Sequence, residues 1–171
     1  MKLARVGVIA AAILAVATLA WAQKPDFSGT WTLDPAASEG GAGGAPGGGG
    51  APGGGGGGGG RGGGRGGLGQ GGTVKQTADA LTVERSIGEN KITSTYKLDG
   101  SESKNSMMGR GGQSVESVST AKWDGPALVI STKIDMGNGP QESTQKWTVS
   151  GSTLTIETTN ARGTQKMVYK K

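Results

Sequence analysis

The sequence predicts an all-β fold, an antiparallel up-and-down barrel of about 8–10 strands. Three observations lead there. Polar and apolar residues alternate with period two through residues 73–171, the mark of strands buried on one face. Turn-forming pairs punctuate that region at short, regular intervals, so each strand pairs with the next. Strand-like runs stand first and last, FSGTWTL (27–33) ahead of that region and TQKMVYKK (164–171) at its end. The sheet can therefore close on itself and remove its exposed edges.

In chain order, Lys2 and Arg5 precede an apolar run over 6–19 and the small-x-small triplet Ala20-Trp21-Ala22. This reads as a signal peptide over 1–22, cleaved after Ala22. The apolar run is short for a membrane span, and no Cys follows it to carry a lipid. An uncleaved anchor helix is the alternative, disfavoured by the short polar flank. The expectation is an exported protein, periplasmic or extracellular, without a stable membrane span after cleavage.

Residues 23–39 are expected to supply the first strand. Residues 40–72 follow, and 24 of these 33 are Gly. Gly loses the most entropy on folding and has no side chain to bury, so a disordered loop is expected. Residues 73–171 supply the rest of the barrel. In ALTVERSI (80–87), Leu81, Val83, Arg85 and Ile87 share one parity. In NKITSTYKL (90–98), Ile92, Tyr96 and Leu98 do so, and in ALVISTKI (127–134), Leu128, Ile130 and Ile134. In TLTIETT (153–159), Leu154 and Ile156 share a side. One inward parity reads Val115, Ser117, Ser119, Ala121, a mixture that leaves room for a cavity. The runs Lys122-Trp123-Asp124-Gly125 and Lys146-Trp147, with Gly151 after it, echo one another, as if one hairpin design were used twice.

The chain has no Cys and no His, which removes most nucleophile–base pairs and most zinc or copper sites. The net charge of +5 falls to 5 − 2 = +3 once Lys2 and Arg5 leave with the signal peptide, a mild value that predicts no nucleic-acid partner. Arg61 and Arg65 stand in a Gly-rich context like that of RNA-binding segments, but behind an export signal they read as a solvated linker. No Gly-Lys-Ser or Gly-Lys-Thr follows the glycines, so a nucleotide loop is rejected. Asp124 and Asp135 lack the spacing of a metal site or an acid–base pair. No catalytic residue, cofactor or metal ligand is predicted.

Gly29-Thr30-Trp31 resembles the Gly-x-Trp motif that opens the first strand of lipocalins, fatty-acid-binding proteins and avidin-like proteins. Met167-Val168-Tyr169-Lys170-Lys171 resembles the last strand of fatty-acid-binding proteins. The run from Ser28 to Trp31 and on through Asp34-Pro35-Ala36-Ala37-Ser38, with Lys122-Trp123-Asp124-Gly125 and Leu128-Val129-Ile130, is similar to small exported bacterial proteins described as lipocalin-like. The resemblance implies a barrel whose lumen takes a small ligand. Fatty-acid-binding proteins carry an Arg two places before the C-terminal Tyr. That place is Met167 here, so their carboxylate site is not carried over intact. Their helical lid would fall in the glycine tract, which cannot hold a helix at roughly 1 kcal/mol per Gly.

Gly29 and Trp31 are therefore expected to be structural, with Trp31 closing the barrel base. Trp123 and Trp147 line the lumen or its rim, or pack in the core. Arg85 shares the parity of apolar neighbours, and a charge there needs a partner or water. It either meets a ligand carboxylate in a wet lumen or lies near the mouth. Tyr96 and Tyr169 offer hydroxyls to a ligand or pack as core. The function expected is a non-catalytic barrel binding a small apolar or amphipathic molecule. The alternative is an envelope protein with a filled barrel and a glycine tether; a hydrolase or isomerase fits least.

Overall fold

The computed structural model describes residues 24–39, 67–87, 90–108, 114–135, 137 and 139–171. The expected signal peptide and most of the glycine tract lie outside them. Ten strands form one sheet: β1 (Gly29–Leu33), β2 (Gly71–Gln76), β3 (Ala80–Ile87), β4 (Asn90–Lys97), β5 (Glu102–Met108), β6 (Ser114–Asp124), β7 (Ala127–Asp135), β8 (Pro140–Ser150), β9 (Thr153–Asn160) and β10 (Gly163–Lys170). Their order is β4-β3-β2-β1-β10-β9-β8-β7-β6-β5, with every paired ladder antiparallel. The first strand meets the last, as the two ends of the sequence predict: Thr32 lies opposite Lys170 and Leu33 opposite Tyr169.

The seam lies elsewhere, between β4 and β5. There a side chain stands in for a strand. Asn105 Oδ1 accepts the Thr95 N–H at 2.8 Å, and its Nδ2 donates to the Thr95 carbonyl at 3.1 Å. Ser103 Oγ accepts the Lys97 N–H at 2.9 Å. The Asn105 amide thus occupies the place of a peptide unit, satisfying edge groups that would otherwise be open to pairing. The barrel is nearly closed.

The ladder registers explain the echoed tryptophans. Trp123, Leu128, Trp147, Ile156 and Met167 form one inward row across β6 to β10. Trp123 precedes Gly125 by two places, whereas Trp147 precedes Gly151 by four. That offset is the stagger a tilted barrel needs to keep both rings at one level. Phe27, fully buried, stacks on Trp123 at 5.9 Å and meets Trp147 edge-on at 6.0 Å. Trp31 sits among them, 1% exposed, and its Nε1 donates to the Phe27 carbonyl at 2.9 Å. Leu81, Leu128, Ile130, Leu154 and Ile156 complete a dry base at 0% exposure. The Gly-x-Trp motif has a local reason: Gly29 has φ +143°, a conformation that residues with side chains rarely adopt, and the Lys171 ammonium lies over the Trp31 ring at 4.7 Å.

Beyond β1 the chain bends across β10. The Asp34 N–H donates to the Val168 carbonyl, the Ser38 hydroxyl accepts from the Val168 N–H, and Glu39 bridges to Lys166. Asp34 pairs with Lys170 at 2.7 Å. That bond, helped by the Lys170 charge and the turn amides of Ala37 and Ala36, holds the Asp34 carboxyl below its ordinary 3.8. A carboxyl whose folded pKa is depressed stabilises the fold above its unfolded value and loses that contribution as pH falls through the folded one. Asp34→Asn keeps an acceptor for the turn and removes the charge. It should lower Tm modestly at pH 7. In a series of melts, the gap to the native chain should close as pH drops below 3.8.

The expected glycine loop ends earlier than Gly72. Residues 67–70 form a turn, and Gly71 and Gly72 begin β2. Leu68 is 1% exposed and belongs to the core. Composition concealed this, because one Leu among glycines carries no periodicity.

Candidate functional site

The inward face of the barrel changes character with height. Above the aromatic row comes Ala121–Ile130–Gln145–Thr158–Gln165. Above that comes Ser119–Thr132–Ser143–Asn160, and then Ser117–Ile134. The base is apolar and the upper half is lined with hydroxyls and amides. Exposure is mixed along the wall. Ser117 and Ser119 are 2% exposed, whereas Ile92, Tyr96, Val115, Thr132, Ile134 and Ser143 face inward by register yet are half-buried, as Trp123 and Val149 are nearer the base. The upper wall therefore presents half-buried apolar and polar side chains side by side.

Arg85 lies on the wall of this region. The β2–β3 and β3–β4 ladders run without a bulge past it, so its inward parity holds. Its Nη1 donates to the Gly67 carbonyl at 3.0 Å. Among the described residues no carboxylate pairs with it. Two phenols stand within its field. Burial raises the Tyr96 hydroxyl above its ordinary 10.0, opposed by the Arg85 charge and a bond with Ser94. Tyr96 is half-buried and packs against the core. Burial also raises Tyr169, opposed by its bond to the Leu68 amide and by Arg85. Both phenols stay protonated at neutral pH and can donate.

Two groups that sequence reasoning passed over lie in the same lumen. Thr158 is 3% exposed and its hydroxyl has no partner. Its ladder neighbour Gln145 accepts the Trp147 indole N–H on Oε1 at 2.9 Å, leaving the amide nitrogen to the interior. An unmatched buried hydroxyl costs roughly 1–3 kcal/mol. The available signal was Thr158 sharing parity with Leu154 and Ile156. Thr158→Val should raise stability by about 1 kcal/mol, measured by denaturant titration, while weakening capture of any polar ligand.

Of the residues singled out from sequence, the structure brings Arg85, Tyr96 and Tyr169 together. Trp147 is not on the rim: it is 1% exposed in the packed base. Trp123 also stands apart. It borders a cleft of about 320 Å³ at the base, with Lys24, Asp26, Gln76, Thr77, Ala78 and Leu98. The Lys24 ammonium lies over its ring at 5.4 Å. Trp31 is 1% exposed in the core, and Gly29 precedes it with φ +143°. Among the described residues no cluster of carboxylates offers a metal site, and no helix is long and apolar enough to cross a membrane.

By its own topology the chain is a nearly closed, ten-stranded, lipocalin-like barrel. No protein-family model matches it, and no curated protein does. It is similar to some solved structures. Secretory abundant heat soluble protein 4 from Ramazzottius varieornatus shares 27% identity at a TM-score of 0.45, over 59% of this chain and 67% of that one. A REP1-NXSQ fatty acid transporter shares 16% at 0.46, over 59% and 68%. A further SAHS protein from Ramazzottius varieornatus shares 17% at 0.45, over 59% and 69%. At these scores the likenesses carry no reading of the site, which rests on the residues above.

Proposed function

We propose that this chain is an exported, non-catalytic barrel that holds a small amphipathic molecule in the upper half of its lumen. One observation carries the reading: Ile92, Val115 and Ile134 face inward yet are half-buried, on a wall that also carries Arg85 opposite Ile92, Tyr96 and the unpaired Thr158 hydroxyl. Apolar surface left wet inside a barrel is what a ligand's apolar part covers, at about 25 cal/mol per Å². Arg85 orients the polar end, because its guanidinium keeps donors beyond the one given to the Gly67 carbonyl. Export follows from the basic, apolar and small-x-small sequence of residues 1–22. The absence of His and Cys from the chain favours carriage over catalysis.

Native mass spectrometry on protein purified gently from an exporting host tests this. A reproducible extra mass that leaves on denaturation supports carriage and identifies the molecule. A clean apo mass, with no rise in Tm across a panel of amphiphiles, rejects it in favour of a structural envelope protein.

A further inference from the structure

The end of the glycine tract returns to the barrel and satisfies the very groups that a ligand would use. The Gly67 carbonyl takes the Arg85 guanidinium at 3.0 Å. The Leu68 N–H donates to the Tyr169 hydroxyl at 3.2 Å, and that hydroxyl donates to the Gly69 carbonyl at 3.3 Å. The Leu68 side chain is sealed into the core. Within residues 40–72 it is the only large apolar side chain. A peptide segment with two carbonyls, one amide and a branched apolar group thus sits at the junction of the dry base and the polar lumen.

We propose that the 67–70 turn is a built-in occupant of the ligand site, displaced when an amphipathic molecule binds. The inference rests on the lumen reading above and adds its regulation. Three features bear on displacement. The turn is held by side chains of β3 and β10 and by two backbone bonds, from the Leu33 N–H of β1 to the Gln70 carbonyl at 3.0 Å and from the Gly71 N–H to the Leu68 carbonyl at 3.2 Å, so residues 67–69 have no backbone bond to another strand among the described residues. Gly67 and Gly69 flank Leu68, and the entropy lost in ordering them offsets part of what burying Leu68 contributes. Arg85 and Tyr169 each retain full hydrogen-bonding use after release only if a ligand acceptor replaces the turn's carbonyls. The displacing ligand must therefore carry an acceptor or anionic head, a carboxylate, sulfonate or carbonyl, on a compact apolar body. A purely hydrocarbon ligand would leave Arg85 without a partner.

Anilinonaphthalene sulfonate, a compact amphipathic anion, is the probe, titrated by fluorescence into the full chain and its Leu68→Ala variant. Weakening the turn should tighten binding at least tenfold, about 1.4 kcal/mol. Amide hydrogen exchange on the unmodified chain is the second readout and needs no variant to fold. The probe should accelerate exchange at Leu68 while Leu128 and Ile130, in the core of β7, stay protected. If the probe binds the native chain but Leu68 exchange is unchanged or slowed, and Leu68→Ala binds no tighter, the turn is a fixed wall. The displacement idea then falls and the lumen reading stands. If the probe binds neither chain, both fall.

Discussion

Trp31→Ala should unfold this protein or bring it close to unfolding. Trp31 is 1% exposed, its indole N–H is bonded to the Phe27 carbonyl, and its ring carries the Lys171 ammonium. Emptying a buried aromatic site costs roughly 3–5 kcal/mol, against a typical domain stability of about 5–15 kcal/mol. Two further losses travel with it. The Phe27 carbonyl loses its donor, and with it the bond that fixes the chain where the Phe27 ring meets Trp123 and Trp147. Thermal melting followed by far-ultraviolet circular dichroism should show Tm lowered by more than about 10 °C. Trp31→Phe should recover part of the loss, since it refills most of the volume without the N–H. A Trp31→Ala chain that melts within a few degrees of the native one would show that the base is not closed by this residue.

Gly71→Val should be nearly as damaging, although Gly71 lies in what reads as a featureless tract. Its φ is +151°, a conformation that side-chain-bearing residues rarely adopt. A Cβ there would sit 2.5 Å from the Trp31 carbonyl oxygen, in the backbone of β1. The strained backbone costs about 1–3 kcal/mol, and forcing atoms into the filled gap between strands costs about 1–3 kcal/mol more. Gly72 stands in the same relation to the other neighbour, its notional Cβ 2.5 Å from the Glu84 carbonyl oxygen of β3. The two glycines let β2 lie flush between β1 and β3. Gly125→Ala is the comparison: its φ is +58° but nothing lies within 4 Å, so it should cost about 1–2 kcal/mol. Equal losses at Gly71 and Gly125 in urea titrations would mean that backbone conformation alone matters and the strand clash does not.

These two residues mark how far the sequence could be read. Trp31 was legible because Gly29-Thr30-Trp31 sits at the start of a strand with apolar residues on its parity. Gly71 and Gly72 were not, because composition assigns them to the 24 glycines around them. Only the register of β2 against its neighbours separates structural glycines from linker. Leu68 was hidden for the same reason. Arg85 shows the intermediate case. Parity placed it inward, and the unbroken ladders of β2, β3 and β4 agree. Its partner, the carbonyl of Gly67 eighteen residues earlier, could not be inferred from any local pattern. Tyr96 and Tyr169 were read as hydroxyls for a ligand or as core. Tyr169 is core by burial, and its hydroxyl is already engaged with the turn.

What the sequence determined by itself is whatever local geometry dictates. Alternation with period two sets the strands and their faces. Asp-Gly-Pro and Ser-Gly punctuation sets the hairpins. Hairpins in series, with strand-like ends, set an up-and-down barrel closed by β1 against β10. Tertiary structure decided everything that depends on stagger around the barrel. It put Trp123 and Trp147 in one row, Ser119 and Ser143 in another, and so divided a dry base from a polar lumen. It opened the seam between β4 and β5, where an Asn side chain replaces a backbone ladder. It left Thr158 without a partner and folded Leu68 in beside Arg85 and Tyr169. The reason is physical. A strand's faces follow from its own residues, but which inward residues meet depends on register summed over ten strands, and that sum is settled only when the whole sheet closes.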